Sequence, residues 1–151
     1  MWKTGLALVA TLLATQQPSL AEIQMTPEAI RIKITIGTSI IRAHLNDSPT
    51  ARDFAAMLPL TLKLKDYAQT EKISDLPAKL TSTGAPAGYK PVTGDITYYA
   101  PWGNLAIFHR DFSHATGLIL LGKIDSGLES IRQQGNLTGT IEKDDGDGTN
   151  R

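Results

Sequence analysis

Four isoleucines at every second position, Ile30, Ile32, Ile34 and Ile36, with Arg31, Lys33 and Thr35 between them, constrain this chain more than any other feature. Successive side chains of an extended chain point to opposite faces, so this pattern predicts a strand with one buried face and one wet face. Gly37-Thr38-Ser39 then turns the chain, and Ile41, Ala43 and Leu45 alternate with Arg42 and His44 on the return. The first unit is therefore a β-hairpin whose outer faces are cationic. Leu60, Leu62 and Leu64 alternate with Thr61, Lys63 and Lys65 in a third half-buried strand that runs toward Tyr67.

Between these strands, Ser48 and Pro49 read as the N-cap and first residue of a short helix. Ala51, Phe54, Met57 and Leu58 follow at helical spacing, and Pro59 stops the helix after Leu58. Residues 68–92 hold Pro77, Gly84, Pro86, Gly88 and Pro91 without a sustained period, and are expected to be mostly loop. Strands are predicted at about 95–99 and 104–110, and again over 118–124, where a nearly continuous apolar run points to burial on both faces. Ser126 with Glu129 reads as the capping box of a second short helix, with Leu128 and Ile131 inward and Gly135 ending it. A closing strand covers 137–142. Six or seven strands and two short helices give a mainly β chain. A closed barrel fits best because closure removes exposed edges, and a two-layer α+β fold is the competitor.

Ahead of the domain, Lys3 precedes an unbroken apolar stretch from Gly5 to Ala14, then Thr15 to Gln17 and Pro18. That order matches a signal peptide, and the run falls short of the roughly 20 residues that span a bilayer. Ser19-Leu20-Ala21 offers small residues where a signal peptidase reads, so cleavage is expected after Ala21, with a periplasmic or secreted product. A buried N-terminal helix and a retained membrane anchor are the alternatives. The resulting organisation is a leader over 1–21, a linker over 22–28, the domain over 29–142 and a disordered tail over 143–151. With Lys3 removed from the chain's 15 basic residues, 14 face 15 acidic ones. This balance argues against nucleic-acid binding and, once the leader is gone, against an anionic membrane surface. The chain has no cysteine, which excludes zinc-thiolate, iron-sulfur and thiol chemistry and agrees with an oxidising compartment.

Eight aromatic residues survive cleavage, and Tyr98, Tyr99, Trp102, Phe108 and Phe112 lie within fifteen positions. Alternation sends Tyr98 and Tyr99 to opposite faces, while Trp102 stands in a Pro-Trp-Gly turn where packing alone would rarely place it. Such a group can floor an apolar ligand pocket or plug one end of a barrel as core, and both readings stay open. Thr70-Glu71-Lys72 sets opposite charges side by side in the expected loop. If that loop folds over the aromatics, Glu71 can accept a proton or bind a ligand cation; otherwise it is half of a solvated charge pair. His109 and His114 are five apart, unlike a helical zinc pair, and no third ligand is near, so no metal is expected. His109 alternates with Phe108 and reads as a rim or surface residue. Ser113 beside His114 is no triad, because neighbours in a strand point apart, and no nucleophile elbow occurs.

Two segments carry a family resemblance: Gly94-Asp95-Ile96-Thr97-Tyr98-Tyr99-Ala100-Pro101-Trp102-Gly103-Asn104-Leu105-Ala106-Ile107-Phe108, and Leu121-Gly122-Lys123-Ile124-Asp125-Ser126-Gly127-Leu128-Glu129-Ser130-Ile131. With Asp66 to Lys72 they resemble the bacterial cyclophilin-like domain family over about 30–142. The resemblance implies an eight-stranded barrel capped by two helices. True cyclophilins isomerise prolyl bonds with the arginine of a Phe-His-Arg segment that precedes a glycine-rich stretch. Here Phe108-His109-Arg110 follows that stretch instead, no Met-Xaa-Gln run comes after it, and the positions of the pocket histidine and tryptophan fall on Leu118 and near Ser113. Phe108 alone keeps a pocket-lining role. Some such domains accompany flavodoxin-like domains, yet no flavin-binding segment is visible and no cofactor is expected.

The reading that follows is a binding module for a small molecule or short peptide at a wall of Tyr98, Tyr99, Trp102, Asn104 and Phe108, aided by Tyr67 and Glu71. The alternative is a prolyl isomerase without the standard residues. A purely structural or partner-docking role is the third possibility. Nothing in the sequence specifies an oligomeric state.

Overall fold

A computed structural model describes residues 28–146. The expected leader and all but the last residue of the linker lie outside the described residues, as do residues 147–151 of the expected tail. Eight antiparallel strands close into a barrel in the order β1-β10-β3-β4-β7-β6-β9-β2. They are β1 (Ile30–Ile36), β2 (Ser39–Leu45), β3 (Leu60–Tyr67), β4 (Glu71–Asp75), β6 (Asp95–Tyr99), β7 (Asn104–Phe108), β9 (Leu118–Ser126) and β10 (Leu137–Lys143). The remaining two, β5 (Gly88–Tyr89) and β8 (Ala115–Thr116), pair with each other outside the barrel.

The isoleucine hairpin forms as the alternation requires. Ile34 faces Ile41 and Ile32 faces Ala43 across β1 and β2, and all four are buried. Gly37 takes the turn at φ +59°, where a side chain would be strained. Inward residues of the other strands, among them Leu62, Leu64, Ile96, Tyr98, Leu105, Ile107 and Leu121, complete one continuous core.

One helix, α1 (Pro49–Ala56), packs Ala51, Phe54 and Ala55 onto this core. The Ser48 hydroxyl accepts from the Ala51 N–H at 3.1 Å, so the expected N-cap forms. The second expected helix is only a single 3-10 turn, Leu128–Ser130. Its cap position is Gly127 at φ +86°, with no side-chain capping bond, because β9 extends through Ser126 and takes that residue away from the expected capping box. Ile131 nevertheless reaches the core, fully buried, while Leu128 packs against it partly exposed. β10 likewise runs one residue past its expected end. Lys143 pairs with Ile32, and the Asp144 carboxylate meets the Arg42 guanidinium, so the barrel edge extends into the segment expected to be tail.

The largest departure from the sequence reading is β4, which lies in the stretch expected to be loop. Its alternation is inverted: Lys72 and Ser74 are buried while Ile73 is half-buried on the other face. The β3–β4 connection is three residues long, 68–70, with a tight turn closed by Thr70 N–H donating to Tyr67 O at 3.2 Å and Ala68 at φ +49° and Gln69 at φ +58°. Hairpin turns of this twist usually announce themselves with Asn-Gly or Asp-Gly, and Ala-Gln carries no such signal.

Lys72 is completely buried, and its ammonium lies 2.6 Å from both the Asp66 carboxylate and the Gly135 carbonyl oxygen. Asp66 also accepts the Gly135 N–H at 2.6 Å. This clamp fastens the chain entering β10 onto the β3–β4 hairpin. It gives a buried charge the pairing and hydrogen bonding that it needs. Among the described residues no helix is long and apolar enough to cross a membrane.

Candidate functional site

The outward face of β4, β7 and β6 carries a second apolar cluster, separate from the barrel core. Ala106, Phe108 and Leu118 are buried there, with Ile73, Tyr99, Tyr89 and Ala115 packed against them. Pairing explains the grouping: Glu71 faces Phe108 and Ile73 faces Ala106 across β4 and β7, while Asn104 faces Tyr99 across β7 and β6. The aromatic concentration thus neither plugs a barrel end nor belongs to one core. Tyr98 points inward, 1% exposed, and its hydroxyl accepts from Leu80 N–H at 3.2 Å. Tyr99 points outward into the second cluster. Tyr98, expected on the ligand wall, is therefore a core residue, because one face of β6 cannot hold two consecutive side chains.

Above the outer cluster lies a cavity of about 210 Å³, lined by Tyr67, Glu71, Tyr99, Trp102, Asn104 and Phe108 among others. Six of the seven residues expected at the site are thus brought together there. Trp102 is 57% exposed and stands edge-on to two tyrosines, with ring centroids 5.6 Å from Tyr67 and 5.3 Å from Tyr99. Phe112 stacks on Phe108 at 6.4 Å and closes the other side. Both arrangements fall in the range of favourable aromatic pairs.

The turn that presents Trp102 is held from several directions. Trp102 N–H and Gly103 N–H both donate to Tyr99 O, at 3.3 and 2.8 Å, and Gly103 adopts φ +69°. Ala100 N–H donates to Gly117 O at 3.0 Å, and the Pro101 ring lies where a β-carbon on Gly117 would stand, 2.7 Å from it. Behind the site, the buried Asp95 carboxylate accepts from the Tyr89 hydroxyl and the Val92 N–H, both at 2.8 Å. Burial, and then the bond to Asp95, pushes the Tyr89 phenol up to about 12. This network ties the long 76–94 segment to the wall, and the β5–β8 pairing then carries Ala115 to the pocket.

Two polar groups interrupt the apolar lining. Glu71, expected in a loop, stands on β4 and is only 9% exposed; its carboxylate accepts from the Thr70 hydroxyl at 2.5 Å. Burial raises its pKa, and the Thr70 bond lowers it in part. Lys72, its neighbour in sequence, is on the opposite face, so the expected side-by-side charge pair does not exist. Asn104 is buried and its Nδ2 donates to Leu105 O at 3.2 Å. Its Oδ1 is the one buried side-chain polar atom without a hydrogen-bond partner among the described residues.

The family model described as the Cyclophilin-like family matches residues 34–142. The chain belongs to the cyclophilin-like family. Among solved structures, the solution structure of the hypothetical protein AF2241 from Archaeoglobus fulgidus aligns with a TM-score of 0.53 at 18% identity, covering 76% of this chain and 95% of that one. At that identity the likeness concerns the fold alone. No curated protein matches the sequence.

Within this cyclophilin-like barrel, Phe108, His109 and Arg110 part company. Phe108 lines the aromatic cavity, whereas His109 and Arg110 line a different, polar cavity of about 440 Å³ with Asp66, Gln69, Arg132 and Gly135. His109, expected at a rim or surface, is buried, and burial followed by the nearby Lys72 charge lowers its pKa. Among the described residues no arginine lines the aromatic cavity. Sequence reasoning missed Ile73, Ala106, Ala115 and Leu118 in that cavity, and counted Phe112 among the clustered aromatics without placing it at the site. Ala106 was open to discovery, since it shares a strand face with Asn104 and Phe108. Leu118 and Ala115 arrive through pairings that no local pattern announces.

Proposed function

We propose that this cyclophilin-like barrel is an exported binding module that holds a small molecule or a short peptide in the outer aromatic cavity. The observation that carries the reading is Trp102, a large indole more than half exposed yet packed edge-on against Tyr67 and Tyr99 over an apolar floor. With Tyr67 and Phe112, each also partly exposed, it forms a contiguous aromatic surface around one cavity, and such patches mark interaction sites. The concave shape and the few polar groups support the same reading. The cavity is small for a drug-sized ligand, which favours a fragment or one side chain of a peptide. A thermal-shift screen of small molecules and peptides tests it: Trp102→Ala and Tyr99→Ala should abolish ligand-induced stabilisation, and unchanged shifts in both variants reject the site.

Export supports the same role but rests on sequence alone, on Lys3, the apolar run to Ala14 and Ser19-Leu20-Ala21. N-terminal sequencing of the mature protein should begin at Glu22; an intact Met1 on soluble protein rejects it.

Phe108 on the outer wall favours a second reading, prolyl isomerisation. Twisting a peptide bond meets a barrier of ~18–20 kcal/mol, and catalysis needs donors aimed at the distorted amide. With Arg110 directed to the other cavity, weak or no turnover is expected. A protease-coupled assay on a proline peptide decides, and no rate above background at micromolar protein ends that reading.

A further inference from the structure

The geometry points to an organic cation as the occupant of the aromatic cavity: a primary ammonium on an apolar stem, seated against Glu71 beneath Tyr67 and Trp102. This inference rests on the cavity being a ligand site and narrows what enters it.

Three observations converge. First, Glu71 is the one lining residue with a formal charge, and among the described residues it has no cationic partner, only the Thr70 hydroxyl. Its neighbour Lys72 is directed to Asp66 and the Gly135 carbonyl on the far side of the sheet. A buried carboxylate without a counter-charge is costly, and burial holds this one above its usual range. An ammonium entering the cavity supplies the missing charge.

Second, the side chains around that carboxylate are those that attract cations. Tyr67 faces Glu71 across β3 and β4, and the Trp102 ring lies 5.6 Å from the Tyr67 ring. A cation within about 6 Å of an aromatic face gains from the ring quadrupole, with tryptophan the strongest, and the gain rises when water is excluded. Among the described residues no lysine or arginine lines the cavity to oppose it.

Third, the other buried polar group of the lining, Asn104, has an acceptor without a partner in its Oδ1. Pairing puts Glu71 opposite Phe108 and Asn104 opposite Asp75, so the two acceptors mark the ends of a floor about 13 Å long at ~3.3 Å per residue. Ile73 and Ala106 lie between them and suit an alkyl or aryl stem. A ligand with N–H donors satisfies these two acceptors, and an anion on this floor meets the Glu71 carboxylate.

The ammonium can belong to a free amine or to a lysine side chain of a peptide. Isothermal titration calorimetry on the intact protein separates these, using phenethylammonium, phenethyl alcohol, 3-phenylpropionate and Nα-acetyl-lysine methylamide. Phenethylammonium should bind at least tenfold more tightly than the alcohol, and the carboxylate should show no heat. Glu71→Gln should weaken ammonium binding tenfold or more while leaving the alcohol within about twofold. Preference for the lysine amide over phenethylammonium assigns a peptide source and the reverse a free amine; either supports the cation. Equal affinity for ammonium and alcohol, or ammonium binding unaffected by Glu71→Gln, overturns the cation while keeping the pocket. Absence of binding by all four compounds to folded protein overturns the pocket reading as well. The charge series on the wild-type protein decides even if the variant fails to fold.

Discussion

Glu71 and Lys72 are adjacent in sequence and lie on opposite sides of the barrel wall, the carboxylate under the outer aromatics and the ammonium sealed inside against Asp66. Their substitutions should therefore separate function from stability. Glu71→Gln removes a desolvated carboxylate whose folded-state pKa is raised, so its ionisation opposes folding as pH climbs from the unfolded value through the folded one. Thermal melts should place the Gln variant at or above wild type at pH 7, with the difference vanishing below the carboxylate range. A clearly lower Tm at pH 7 would contradict this.

Lys72→Met should behave differently. Methionine fills the volume of the stem, and losing one partner of a buried ion pair is costly mainly when the charge left behind is itself buried. Asp66 is largely open to water and keeps its bond to Gly135 N–H, so no buried charge is orphaned. Urea denaturation should find the variant within about 1 kcal/mol of wild type, with ligand binding retained. Asp66→Ala leaves the buried ammonium without its carboxylate, and should lower the urea midpoint well beyond the methionine variant.

Gly117 positions the site without touching a ligand. Its φ is +82°, and a β-carbon there would collide with Pro101 at 2.7 Å. Gly117→Ala should displace the Pro101-Trp102 turn and weaken ligand binding in calorimetry, while far-ultraviolet circular dichroism stays that of an intact barrel. Full affinity in this variant would show that the turn needs no such support.

How much of this was legible in the sequence follows from where the hydrophobic effect acts alone. The β1–β2 hairpin, β3 and α1 were readable because each has one buried face, and the period appears directly in Ile30 to Ile36, Leu60 to Leu64 and Ala51 to Phe54. β4 was not, because Lys72 and Ser74 hold its inward positions and its outer face is covered by aromatics from distant segments. Tyr99, Asn104 and Phe108 were found with Trp102 by the aromatic density around it, whereas Tyr67 and Glu71 came from the Asp66 to Lys72 segment about thirty residues upstream. Tyr98 was drawn in by the same density, although alternation from Tyr99 already assigned it to the other face. The eighth strand came only through family resemblance.

The Tyr89 hydroxyl gives a spectroscopic handle on the scaffold behind the site. Its pKa rises to about 12 because the phenolate would be buried beside the Asp95 carboxylate. Between the ordinary value of about 10 and the folded one, the unfolded chain has released its proton and the folded chain has not. Stability from this group is thus present below pH 10 and declines as pH rises toward 12. Ultraviolet titration of Tyr89→Phe should lose a late-ionising component seen in wild type. An unchanged titration curve would mean that the Tyr89–Asp95 bond does not form in solution.

The β3–β4 turn offers a stabilising change. Ala68 and Gln69 both occupy positive φ, a conformation in which a β-carbon crowds the following carbonyl at a cost of roughly 1–2 kcal/mol per residue. Asparagine tolerates that region and glycine adopts it freely, which is why Asn-Gly is favoured where both central residues of a hairpin turn have positive φ. Replacing Ala68-Gln69 with Asn-Gly should therefore stabilise the protein by about 1 kcal/mol, the gain from glycine being partly offset by its greater freedom in the unfolded chain. The readout is the urea midpoint at unchanged slope. Tyr67 and Glu71 flank the turn and keep their register, so affinity for a bound ligand should not fall. A loss of stability would mean that the side chain of Gln69, which lines the polar cavity beside His109, contributes more than the turn strain costs.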